Sequence, residues 1–339
     1  MNIPYRTRQF LLRLLVVLLV VVLVAIIAFL CWFVWLQRFV VYTRDKGAVI
    51  NTKLDPYIQE GPPVTRPDIG DVELIYREED EEDANPEELT QMIGYYADAE
   101  ALRDIPEVRK QAKLLEAGTG LMLDVKDAKG RFFYSSSVND QRSGSIDIAA
   151  MDALIQELDQ QGVYLIARLP ALRDYHFGLN STENGLFVSS GQYLWADDDY
   201  CYWLDPTKEG TLMHLVQIVT ELKNLGFDEV IFDEFCFPDT ENLKFSADRT
   251  EALNNAAKTL LTSCATDTFA LSFVAKAEGF ALPQGRSRLY ILDALAADAA
   301  NIAAASGVAD PAINLVFLTP FHDTRFNDYS VLRPLESAQ

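Results

Sequence analysis

The chain has 339 residues, 49% of them apolar, and 50 acidic against 29 basic side chains give a formal net charge of −21. That length and apolar content are enough for one barrel-sized domain with extensions. The excess of carboxylates excludes a surface built to neutralise a phosphate backbone, so nucleic acid is not an expected partner.

Residues 1–13 form a short basic segment, with Arg6, Arg8 and Arg13 and no acidic residue. Leu14 to Leu36 carries no charge, and as a helix it would span about 35 Å. It closes in Trp32, Phe33 and Trp35 rather than at a small-residue cleavage site, which reads as an uncleaved transmembrane anchor. Arg38, Arg44 and Lys46 lie beyond it, but the purely basic leader favours an inside N-terminus. The expected localisation is therefore a single-pass cell-membrane protein with its C-terminal domain outside the cytoplasm. Residues 37–90 read as an acidic stalk, broken by Gly61-Pro62-Pro63, Pro67 and Gly70 and containing the unbroken run Glu78 to Asp83. Val72 to Tyr76 could form a short strand within it.

From about residue 91 to the end the pattern changes to apolar runs alternating with amphipathic helices. Ile93 to Ala97 is the first expected strand. Asp104, Pro106 and Glu107 then give an N-cap, a first-turn proline and a third-position glutamate for a helix ending near Gly118. Gly120 to Val125 is the second strand and delivers Asp124, Lys126 and Asp127 to its end. Met151, Leu154, Ile155 and Leu158 mark a helix face stopped at Gly162. Val163 to Ala167 is a third strand, followed by Arg168 and Asp174. The long aromatic segment 175–203 is too ordered in composition for a linker, and is expected either to cover a site or to form a satellite core.

Asp205-Pro206 is expected to cap a helix carrying Leu212, Leu215, Val216, Val219 and Leu222, ended by Gly226. Beyond come a strand at Glu229 to Phe232, a helix from about Ser246 to Ser263, and strands at Phe269 to Val274 and Leu289 to Leu292. A helix at Ala294 to Ala305 and a strand at Ile313 to Leu318 follow, with Thr319, Pro320 and His322 after them. Such alternation implies a mostly parallel sheet. Seven strands are countable, one fewer than a closed barrel needs unless Val72 to Tyr76 contributes.

In an α/β barrel the C-terminal strand ends surround one cavity and carry the chemistry. Asp233 and Glu234 follow the apolar core of the central strand. Because successive strand residues face opposite ways, both can reach the cavity only if the strand breaks between them.

The central segment Leu225 to Pro238 (LGFDEVIFDEFCFP) resembles a motif of the glycoside hydrolases of bacterial surfaces that adopt an α-galactosidase-like barrel. So do Asp124 to Asp127 (DVKD), Ala167-Arg168 with Asp174, and Trp203 to Pro206 (WLDP). The resemblance spans roughly residues 93–325. It implies a TIM-like (β/α)8 barrel, complete or open, that hydrolyses glycosidic bonds of a carbohydrate substrate without a cofactor. Two positions depart from the motif: Glu234 stands where the family has tyrosine, and Cys236 where it has arginine, a residue suited to clamping a substrate.

Glycoside hydrolysis needs two carboxylates. Asp233 is the expected nucleophile or base, and Glu234, Asp124, Asp127, Asp174 and Glu278 are the candidate acids. The catalytic set is thus Asp233, Glu234 and Asp124. Lys126, Asp127, Arg168, Asp174, Trp203, Lys276 and His322 are expected to bind substrate. Only three histidines are present, none of them paired in a metal-ligand spacing, so no metal is expected. Cys201, Cys236 and Cys264 could supply one disulfide. A barrel that binds glycan without cleaving it, and a structural protein of the cell envelope, stay open as alternatives.

Overall fold

The computed structural model describes Trp32 and residues 40–43, 47–50, 89–277 and 279–337. Apart from Trp32 the expected anchor lies outside the described residues, as do most of the stalk and Glu278. Among the described residues no helix is long and apolar enough to cross a membrane. Within the expected stalk, Val40–Thr43 pairs antiparallel with Gly47–Ile50 as a short hairpin.

The second unit is a closed parallel barrel of eight strands. These are β1 (Ile93–Ala97), β2 (Gly120–Asp124), β3 (Tyr164–Pro170), β4 (Glu229–Asp233), β5 (Ala270–Val274), β6 (Leu289–Leu292), β7 (Leu315–Leu318) and β8 (Ser330–Pro334). Each strand pairs with the next in sequence, and β8 returns to β1 with Val331 opposite Ile93 and Pro334 opposite Tyr96. The expected shortfall of one strand is thereby corrected: β8 closes the barrel, without any need for Val72 to Tyr76. Its sequence signal is weak because only Val331 and Leu332 are apolar between Ser330 and the strand-ending Arg333-Pro334. The last units are also compressed, with a single 3-10 turn, Thr324–Phe326, between β7 and β8.

The helices are α1 (Ile105–Ala112), α2 (Ile148–Gln161), α3 (Tyr175–Asn180), α4 (Glu209–Asn224), α5 (Arg249–Cys264), α6 (Ala299–Ala305) and α7 (Pro311–Asn314). Asp104 caps α1 through the amide of Glu107, Asp147 caps α2, and Gly162 closes α2 at φ +75°. Asp205 does not cap α4, as the sequence suggested. It accepts from Thr207 in a tight turn, and the helix starts three residues past Pro206.

Inside the barrel, alternate strand positions stack in layers. Met122, Ile166, Ile231, Val274, Tyr290, Val316 and Leu332 fill the middle. The walls of β1 and β2 come so close that a Cβ on Gly94 would lie 2.3 Å from the carbonyl oxygen of Gly120, so only glycine fits there. The outer faces of the strands pack against the helices through a larger core that includes Leu121, Leu165, Val230, Phe232, Leu154, Leu215 and Leu260.

The floor of the barrel is polar. The carboxylate of Glu229, fully buried, accepts from Tyr164 (3.0 Å) and Arg288 (2.5 Å) on one oxygen. Its other oxygen accepts from Ser272 (2.5 Å) and Tyr290 (2.8 Å). In the sequence Glu229 reads only as the first residue of an apolar run.

Candidate active site

Two residues beyond each middle-layer side chain, the same strand parity reaches the mouth. Met122 leads to Asp124, Ile166 to Arg168, Ile231 to Asp233 and Val274 to Lys276. The four side chains therefore share one face and one end of the barrel.

Asp124 and Arg168 are register partners on β2 and β3. Arg168 grips Asp124 at two points, 2.6 and 3.0 Å, and the amide of Ala99 donates to the same carboxylate at 2.8 Å. Asp124 thus ties β1, β2 and β3 together. Burial works against the Arg168 charge, but Asp124 and more distantly Asp233 and Asp98 hold its pKa above the usual arginine value.

Asp233 ends β4. Its Oδ1 accepts from the amide of Glu234 at 2.7 Å and from Lys276 Nζ at 2.9 Å. Glu234 itself sits at φ +50°, a left-handed conformation rare for a residue with a Cβ. That turn interrupts the strand's alternation and returns the Glu234 carboxylate to the mouth, where Oε1 lies 3.0 Å from the same Lys276 nitrogen. The Asp233 and Glu234 oxygens, at 2.9 and 3.0 Å from one atom, are therefore no more than 5.9 Å apart. Burial opposes the Lys276 charge, and the two carboxylates more than restore it, leaving its pKa raised.

Sequence reasoning missed the rest of the rim. Tyr96 at the end of β1 is half-buried. Its pKa is raised by burial first and then by Asp98, with Asp293 and Glu336 adding to the effect. Asp98 and Asp293 each follow the apolar run of their strand, a signal that could have found them. Asp293, like Glu234, is held at positive φ (+56°).

The structure places the other expected site residues outside this ion-paired group. Lys126 and Asp174 form an ion pair at 2.8 Å with both side chains 1% exposed. Burial alone would raise the Asp174 pKa, but Lys126 and His214 outweigh it and hold the carboxyl well below its usual range. Asp174 also caps α3 through the amide of Phe177, whose ring stacks on His214 at 3.9 Å. Asp127 organises its own loop, binding Arg131 at 2.6 Å and accepting from the amides of Lys129 and Arg131. Trp203 is buried with Leu186 and Leu243 and donates to Asp197 at 3.0 Å. His322 is exposed beyond β7. Cys201, Cys236 and Cys264 are free thiols, and burial, then Glu234, pushes Cys236 up to about 11.

The model of a family described as "Putative glycosyl hydrolase domain" matches residues 96–278. The chain belongs to this family. The matched range of the glycosyl hydrolase domain holds Tyr96, Asp124, Arg168, Asp233, Glu234 and Lys276, the whole ion-paired side of the mouth. Among solved structures, a hypothetical protein from Ruminiclostridium thermocellum is 20% identical with a TM-score of 0.45, covering 53% of this chain and 96% of that one. The glycoside hydrolase domain of PelA from Pseudomonas aeruginosa is 12% identical with a TM-score of 0.44, covering 73% and 96%. The α-galactosidase TtGalA from Thermus thermophilus is 10% identical with a TM-score of 0.42, covering 73% and 48%. No curated protein matches the chain.

Proposed function

We propose that the barrel mouth cleaves glycosidic bonds with retention of configuration, using Asp233 as nucleophile and Glu234 as acid and then base. The observation that carries this reading is the shared grip of Lys276 on both carboxylates, which brings Asp233 Oδ1 and Glu234 Oε1 to within 5.9 Å of each other. Retaining enzymes hold the pair about 5–5.5 Å apart, whereas inverting ones need roughly 6.5–9.5 Å for a water between them.

The two carboxylates differ in the way the roles require. Asp233 accepts from both an ammonium and a backbone amide. Glu234 has one such donor and is more exposed. Asp233 attacks the anomeric carbon as Glu234 protonates the departing oxygen. Water, deprotonated by Glu234, next hydrolyses the glycosyl ester. The Arg168–Asp124 pair lines the neighbouring wall and offers a fixed polar edge for sugar hydroxyls.

A second reading rests on the same lysine. If Lys276 keeps both carboxylates ionised with glycan bound, and with Cys236 in place of the family arginine, the barrel binds glycan without cleaving it. Incubating the protein with a panel of polysaccharides and following new reducing ends decides between the two. Proton NMR of the first-formed anomer then tests retention. Inversion would contradict the Asp233–Glu234 pairing, and binding without cleavage would favour the second reading.

The apolar run Leu14 to Leu36 behind a basic leader supports an anchor that holds the barrel outside the cytoplasm. Protease added to intact cells should then digest the barrel, and full protection would reverse that topology.

A further inference from the structure

Three aromatic side chains among the described residues of the barrel unit are strongly exposed: Tyr200 at 78%, Tyr193 at 71% and Phe321 at 63%. All three lie in connections that leave the C-terminal ends of strands, Tyr193 and Tyr200 between β3 and α4, Phe321 just past β7. The apolar aromatics of this fold are otherwise buried or half-buried. These three rings stand apart from that packing.

Tyr200 is the most deliberately displayed. It occupies a left-handed conformation, φ +58°, which a tyrosine adopts only when its surroundings impose it. Asp197 does the imposing. Its Oδ1 accepts from the amides of Asp199 (3.0 Å) and Cys201 (2.9 Å), and its carbonyl accepts from the amide of Tyr200 (2.9 Å). Its Oδ2 accepts from Arg173 Nε (2.6 Å) and Trp203 Nε1 (3.0 Å), while Arg173 also holds Asp199 at 2.6 Å. The turn is clamped from both sides, yet the Tyr200 ring at its tip has no hydrogen bond or ring contact among the described residues.

The clamp is also tied to the catalytic strand. The amide of Ala171 donates to the Asp233 carbonyl at 2.8 Å, and Arg173 stands two residues further along the same segment. Arg173 thus links the turn that carries Tyr200 to the segment that pairs with the end of β4. Asp197, Asp198 and Asp199 surround its base, which disfavours a phosphate-bearing surface such as an anionic membrane or a nucleic acid. The exposed rings are single and separated by polar residues, unlike the contiguous apolar patch of a protein interface. A flat, amphipathic ring on a rigid mount suits the apolar face of a sugar ring with its rim of hydroxyls.

We infer that Tyr200 is a sugar-stacking subsite outside the cleavage point, so that the protein acts on a polymeric glycan gripped at a distance rather than on a single terminal sugar. This rests on the reading of the mouth as a glycan-cleaving site.

The test compares the full-length protein with its Tyr200→Ala and Tyr200→Phe variants on oligosaccharides of increasing length, taken from the polysaccharide that the panel shows to be cleaved. Loss of the ring lowers kcat/KM on long chains about tenfold, a typical effect of removing an aromatic anchor, and leaves the shortest cleavable substrate unaffected. Tyr200→Phe keeps the wild-type length dependence. An equal loss at every length, or none, would overturn the subsite while leaving the cleavage chemistry standing. If no polysaccharide is cleaved, the cleavage reading fails. The subsite is then read by retardation in gels containing chitosan, xylan or galactan, with Tyr200→Ala migrating faster than wild type. Absence of any such difference would overturn it.

Discussion

The amide of Glu234 donates to the carboxylate of Asp233 at 2.7 Å, and the left-handed turn at Glu234 brings its own carboxylate to the lysine that holds Asp233. Strain at a non-glycine residue of this kind costs about 1–2 kcal/mol. Glycine at position 234 should therefore be more stable than alanine by about 1 kcal/mol, while both abolish hydrolysis. Thermal melts of Glu234→Gly and Glu234→Ala check this. Alanine equal to or better than glycine would show that no strain is stored there.

Lys276→Met leaves Asp233 and Glu234 facing each other without their common cation. Two like charges so close cannot both ionise easily, so the proton-bearing form of one is favoured. The basic limb of the kcat/KM profile should therefore move to higher pH. An unmoved limb would show that the lysine does not govern the acid. The stability effect has its own sign: the folded Lys276 pKa lies above its ordinary 10.5. The ion pair therefore stabilises fully below that pH, and the difference in melting between wild type and Lys276→Met should close as pH rises through the folded value.

Much of the barrel was legible in the sequence, and the reason is periodicity. Runs such as Gly120 to Asp124 and Ala270 to Val274 are buried on both faces and so read as continuous apolar strands. Asp124, Arg168, Asp233 and Lys276 were readable as a set because each follows such a run. Three things were not. The strand β8 has too few apolar residues to announce itself. The reach of Glu234 depends on a backbone conformation that no residue type signals. Lys126 and Asp174 look like rim residues in sequence, yet they neutralise each other in the interior, a pairing between loops that are 48 residues apart and so invisible to local pattern.

The buried floor provides a test of structure independent of chemistry. Glu229→Gln leaves Arg288 without its counter-charge in the barrel interior, which should cost about 3–5 kcal/mol. The mouth would be spared directly, since Glu229 lies at the opposite end of β4. Denaturant unfolding of this variant measures the loss. A change under about 1 kcal/mol would mean that the tyrosine, serine and arginine partners re-pair freely around the amide.

The strap that carries Tyr200 should release in acid. Burial alone would raise Asp197, but Arg173 first, then the amide of Cys201 and Trp203, hold its pKa down at about 2 against an ordinary 3.8. Its contribution is therefore complete above pH 3.8 and lost as pH falls through about 2. Because Trp203 donates to Asp197, tryptophan fluorescence should change across that interval in wild type and not in Asp197→Asn. Fluorescence that moves identically in both would assign the change to another group.

The central claim is that Asp233 performs the chemistry. Asp233→Asn keeps the shape of the side chain and removes its charge, so it should fold with a melting temperature near that of wild type, the isosteric change costing less than about 3 kcal/mol. Measured as release of reducing ends from the cleaved polysaccharide, its turnover should fall by several orders of magnitude. A folded Asp233→Asn variant that cleaves at the wild-type rate would contradict the account.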